Sequence, residues 1–229
     1  MIRRHRHNNS LTGEAMLEKG RLEAFSDGVI AIILTIMVLE LKAPETANVA
    51  NLLHEWPIFM SYVISFTYVA VYWINHHQLF HRVRRVDLPV LWANIALLFW
   101  LSLVPFFTEW MEATRLSPLP TAVYAGSLLM AGVAFSVLDR VVARQSIGDE
   151  KMILVRRAAL RKNALAIVIY TTAIVLAFYR PTISLVLIFV VALFYAMPSL
   201  WVERCADELE RRETAKQEPE SLHPPFTGN

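Results

Sequence analysis

Six apolar runs, each of about 20 residues, most constrain what this chain can fold into. They cover residues 22–42, 56–80, 88–111, 120–143, 162–179 and 181–202. Runs of that length cross a bilayer as α-helices, because a helix satisfies its own backbone hydrogen bonds where no water is present to do so. The chain has 229 residues, is 55% hydrophobic and has a mean hydropathy of +0.41, too apolar for an ordinary soluble domain. Pro57, Pro89, Pro120 and Pro181 stand at or beside the starts of runs, where a missing N–H costs nothing. The fifth run is the shortest and is joined to the sixth through Arg180-Pro181. The fold class expected is all-α, a polytopic membrane protein with six transmembrane helices.

Orientation follows from the basic residues. Of 22 Lys and Arg, only Lys42, Arg115 and Arg180 fall in the connections on one side of the six runs. The rest crowd the N-terminus, the 80s, residues 140–162 and the tail, so both termini are expected to be cytoplasmic. These basic clusters are topology signals, and no nucleic-acid partner is expected. Arg140 and Arg144 are read as snorkelling residues at a helix end. The expected domains are a largely disordered cytoplasmic segment, 1–20, a membrane domain, 21–205, and a disordered tail, 206–229. No cleavable signal peptide is expected, since the first apolar run starts late and five follow. A single cysteine, Cys205, rules out an intrachain disulfide framework.

The first run is odd. Its uncharged core, 28–39, spans only about 18 Å, against about 30 Å of hydrocarbon. To cross, the helix must draw Asp27, with Arg21 and Glu23, toward the lipid. Alternation of direction places Ser26 and Asp27 of the first helix at the same depth as Trp73, Asn75, His76, His77 and His81 of the second. Asn94 of the third lies there too. Polar groups in lipid must pair or face water, so a buried network of Asp27, Ser26, a second-helix histidine and Asn94 is expected. Such a network serves as a proton relay, a ligand site or a structural clamp. A proton-coupled secondary transporter using Asp27 and His77 is the alternative function. His77 and His81, at i and i+4, begin a zinc site, but no HExxH or acidic pattern supplies the remaining ligands, and neither a metal site nor an enzyme is expected.

Arg21, Phe25, Gly28, Ile32, Thr35, Leu39 and Lys42 recur at steps of four and three, which sets them on one stripe of the first helix. From spacing alone this is a packing seam.

Arg21-x-x-x-Phe25-Ser26-Asp27, followed by "GVIAIILTIMVLELKAP", resembles the signature of the lysosomal and endosomal six-helix potassium-channel family, which has prokaryotic members and lacks the usual potassium filter. The run from Trp73 to His77 and "NIALLFWLSLVPF" at 94–106 are also similar to that family. The resemblance implies a potassium-permeable cation channel without a cofactor, with K⁺ only modestly preferred over Na⁺. It places the first helix of each repeat at a central pore. Ile32 is then the narrowest ring, with Thr35, Ile36 and Leu39 outward of it and Gly28 inward. Arg21, Phe25, Ser26 and Asp27 form the clamp, with Trp73, His76, His77 and Asn94 behind it. One repeat per chain implies a homotetramer. The partners implied are further copies of the chain, membrane lipid and permeant monovalent cations, and the location is the plasma membrane. Glu40 and Glu45 are expected near the outer mouth, where they raise local cation concentration.

Overall fold

The computed structural model describes residues 2–41, 48–49, 55–146 and 165–196. Apart from turns, the link 83–87 and a 3-10 turn at Arg144–Ser146, the described residues are almost all in α-helices: α1 (Ile2–Leu39), α2 (Trp56–His81), α3 (Leu88–Ser102), α4 (Val104–Ala113), α5 (Pro118–Ala143), α6 (Leu165–Ala177) and α7 (Pro181–Ala196). The expected all-α membrane architecture is present. Residues 18–39, α2, the α3–α4 pair and α5 are long and apolar enough to cross a membrane, while α6 and α7 are shorter apolar helices. The chain divides into two compact units, Met1–Ala192 and Leu193–Asn229, and the packing described below belongs to the first. The tail at 206–229 lies outside the described residues.

Two sequence readings change. The third apolar run is not one helix. It breaks at Leu103, because Pro105 in the next turn has no N–H to give the ladder, and α4 restarts with that proline in its first turn. The segment 1–20, expected to be largely disordered, is helical from Ile2 onward as the N-terminal part of α1. No proline interrupts residues 2–39, so nothing in the backbone stops the helix.

Prolines stand in the first turn of α2, α3, α4 and α5. Asp87 caps α3, its side chain accepting from the Val90 N–H at 3.0 Å. The extended link 83–87 is held to the end of α5. Gln145 Oε1 accepts from the N–H groups of Arg84 (3.2 Å) and Arg85 (3.3 Å), and Gln145 Nε2 donates to the Arg85 carbonyl at 3.0 Å. Arg82 reaches Asp139 of α5 at 3.1 Å. These bonds satisfy backbone groups that no helix covers.

The core lies where α2, α3, α4 and α5 meet. It is filled by Val69, Leu79, Phe80, Leu97, Leu101, Met111, Leu128 and Leu138, all fully buried, and the packing of α3 on α5 is the most extensive. Tyr68 and Tyr124 are buried within it but paired: Tyr68 Oη donates to the Leu128 carbonyl at 2.7 Å, and Tyr124 Oη lies 2.9 Å from Ser65 Oγ. Ser65 Oγ is also 2.8 Å from Thr108 Oγ1, so one polar cluster ties α2, α4 and α5 together. α1 packs on the outside of this core, against α2, α3 and α4.

Candidate functional site

Helical geometry gives α1 two faces. Leu22, Ser26, Ile30, Ile33 and Met37 are buried against the bundle. Arg21, Phe25, Gly28, Ile32, Thr35 and Leu39 all lie on the open side, with Ile36 beside them. Ile32 is 58% exposed where its neighbour Ile33 is 4% exposed. The stripe read from the spacing is therefore the face that the protomer leaves uncovered, and an added Cβ at Gly28 would meet nothing within 4 Å. Thr35 Oγ1 bonds back to the Ile32 carbonyl at 2.9 Å. Arg21 and Phe25 border a cavity of about 650 Å³ with Glu18, Leu22, Asp87 and Leu91. Lys42 and Glu45 lie outside the described residues, and Glu40 follows the end of α1.

Behind α1 runs a directed chain of hydrogen bonds. Asn94 Oδ1 only accepts, so the ring N–H at His76 Nε2 donates to it, at 2.8 Å. Asn94 Nδ2 donates to Ser26 Oγ at 2.9 Å, and Ser26 donates to the Leu22 carbonyl at 2.9 Å. Ser26, His76 and Asn94 are each 0% exposed. His76 also stacks on Phe80, with centroids 4.2 Å apart. The chain joins α2 to α3 to α1 and ends on a backbone carbonyl. A carbonyl has no proton to hand on, so the arrangement suits a clamp better than a relay.

Asp27 is not part of that chain, contrary to the sequence expectation. Ser26 and Asp27 are about 100° apart around the helix, so they cannot both face Asn94. Asp27 is only part-buried and accepts from Trp73 Nε1 of α2 at 2.9 Å. The histidine of the network is His76. His77 instead pairs through Nδ1 with Glu23 Oε1 at 3.1 Å, and its Nε2 lies 3.1 Å from His81 Nε2. No hydrogen bond joins Asp27 to His77 among the described residues, so the pair offers no direct relay. Asn75 bonds to the Val71 carbonyl of its own helix at 2.7 Å.

Sequence reading missed the Ser65–Thr108–Tyr124 cluster and the pairing of Glu23. The first had a signal in hydroxyl residues inside three apolar runs. The second had one in Glu23, an acid one helical turn from Asp27.

The endosomal/lysosomal potassium channel TMEM175 family matches residues 21–105, the segment holding α1's apolar stretch and the whole clamp. A potassium channel of Chryseobacterium sp. (strain P1-3) is 42% identical over 192 residues, covering 84% of this chain and 100% of that one. The chain belongs to the TMEM175 family. A potassium channel of Chamaesiphon minutus is a further relative, 33% identical over 80% of this chain and 95% of its own length. The fold agrees as well: the crystal structure of a lysosomal potassium-selective channel TMEM175 homolog from Chamaesiphon minutus superposes with a TM-score of 0.69. It shares 30% identity with this chain and covers 80% of it and 98% of that chain. TMEM175 is a family of ion channels, not of enzymes.

Proposed function

We propose that this chain is the subunit of a homotetrameric, potassium-permeable cation channel in the plasma membrane, with both termini cytoplasmic and α1 of each copy at the axis. The observation that carries the reading is the open face of α1. A helix in the membrane that buries Ile33 and leaves Ile32 and Leu39 uncovered in the protomer has its second face available for the pore. Membership of a channel family and the crowding of basic residues on one side support the same assignment.

Ile32 forms the constriction. A ring of four isoleucines opposes a water column and gates by dewetting. Thr35, Ile36 and Leu39 line the path outward and Gly28 the path inward. Few strong oxygen ligands lie on this face, so discrimination between K⁺ and Na⁺ is modest. The bonds that hold α1 from behind, Ser26 to Asn94 and Asp27 to Trp73, set the rotation that points Ile32 at the axis. Arg21 and Phe25, at the inner end of the stripe, shape the cytoplasmic mouth.

The test is recording from purified protein in planar bilayers under bi-ionic K⁺/Na⁺ conditions. Wild type is expected to show unitary currents with a modest K⁺ preference. Ile32→Ala widens and wets the ring in every copy at once, so conductance rises and the reversal potential moves toward no preference. Proton-coupled flux at transporter rates, lost in both Asp27→Asn and His77→Gln, would establish the transporter reading instead.

A further inference from the structure

We propose that His77 and His81 form a two-imidazole site for an exchangeable divalent transition-metal ion of the zinc, nickel or copper type, oriented by Glu23. The site lies apart from the stripe of α1, and the inference stands independently of the pore.

The spacing comes from the helix. Residues four apart on α2 stack one above the other, and the two rings meet edge to face with centroids 4.7 Å apart. Their Nε2 atoms are 3.1 Å apart. Two nitrogens bound about 2.05 Å from one metal are about 3.3 Å apart at a tetrahedral angle and about 2.9 Å apart at a right angle. The observed separation falls between the two, so it is already the one that a shared ion requires once the ring of His81 turns its Nε2 lone pair toward it.

The second observation is Glu23. Its Oε1 lies 3.1 Å from His77 Nδ1. A carboxylate this close to Nδ1 favours the tautomer that carries its proton there and leaves Nε2 as a lone pair, the role a carboxylate plays behind a metal-binding imidazole. Trp73 lies nearly parallel to the His77 ring, with centroids 6.0 Å apart. In the metal-free protein His81 Nε2–H donates to that lone pair. The ion takes the place of the shared proton once His81 carries its own proton on Nδ1.

Two further conditions are met. The His77 side chain is 45% exposed and His81 is exposed at the end of α2, so the protomer does not enclose the pair. Among the described residues no group of three or more His, Cys, Asp or Glu converges, so the two imidazoles are the ligands proposed from the protein. The adjacent cation Arg82 is turned away onto Asp139 at 3.1 Å. Imidazole donors select zinc, nickel and copper over calcium and magnesium.

The experiment uses untagged, chelator-stripped full-length protein in detergent, with Zn²⁺ affinity measured by competition against a chromophoric chelator. His81→Gln, at an exposed position, is expected to weaken binding at least tenfold while leaving the metal-free Tm unchanged. Glu23→Gln removes no ligand and is expected to weaken binding about tenfold or more. A His5→Gln/His7→Gln double variant is expected to retain wild-type affinity. With Cu²⁺, electron paramagnetic resonance is expected to show two coupled nitrogens in wild type and one in His81→Gln. Zn²⁺ affinity unchanged in His81→Gln, or no two-nitrogen signal in wild type, overturns the site. Unchanged affinity in Glu23→Gln overturns the orienting role.

Discussion

Among the described residues, Asn94 is the one side chain that bonds to both α1 and α2, using each end of its amide. Removing it leaves the His76 N–H without an acceptor in a fully buried place and deprives Ser26 of its donor. Asn94→Ala is therefore expected to cost about 1–3 kcal/mol for each group left unsatisfied. Asp27→Ala loses one bond to a partly exposed indole, and Asp27→Asn keeps an acceptor for Trp73. Thermal unfolding in detergent is expected to rank Asn94→Ala as the most damaging, Asp27→Ala next and Asp27→Asn mildest. A larger loss of Tm in Asp27→Ala than in Asn94→Ala would reverse these roles. Depth was legible in the sequence: helix direction set Ser26 and Asn94 level with the histidines of the second helix, without choosing His76 among them or excluding Asp27. The partner of Asp27 was not, because an indole N–H reaching across from an aromatic residue has no signature distinct from that of an interfacial Trp.

On α1 as a whole, adjacent positions face opposite ways, Ile33 buried and Ile32 exposed. Ile33→Ala empties a packed site and is expected to cost about 2–5 kcal/mol of stability with K⁺/Na⁺ selectivity nearly unchanged, the converse of Ile32→Ala. Chemical denaturation alongside reversal potentials separates the two, and altered selectivity in Ile33→Ala alone would mean the pore face is misassigned. Gly28→Ala is more revealing. In the protomer the new methyl meets nothing, and Ala favours a helix interior over Gly by about 1 kcal/mol. Any loss of assembly in this variant must then come from neighbouring copies. Size-exclusion mass measurement is expected to show a weakened oligomer of normally folded chains, whereas an unaltered oligomer would place Gly28 away from any subunit contact. The periodicity of α1 made its stripe readable. The break at Leu103 was not read, because hydropathy is blind to a missing N–H, although Pro105 was there to be weighed.

Across the whole molecule, the apolar runs were enough for the helical architecture, since they record the membrane itself rather than any particular contact. The Gln145 clasp on residues 83–87 was not foreseeable, because it pairs segments some 60 residues apart through a side chain with no periodic signal. Mass measurement in mild detergent is expected to give four chains, and a fully active monomer would refute the assembly. Cys205, the sole cysteine, offers a check on orientation. A membrane-impermeant thiol reagent is expected to label it only in opened cells, and labelling of intact cells would invert the topology. One mechanical consequence follows from the continuity of α1. Its 38 residues make a rod about 57 Å long, roughly twice the hydrocarbon thickness. Force on its N-terminal third reaches Ile32 without slack. Spinning the rod by about 100° would trade Ile32 for Ile33, but the Ser26–Asn94 bond acts as a pin against that turn. The contacts of Asp27 with Trp73 and of Glu23 with His77 oppose the same turn from α2.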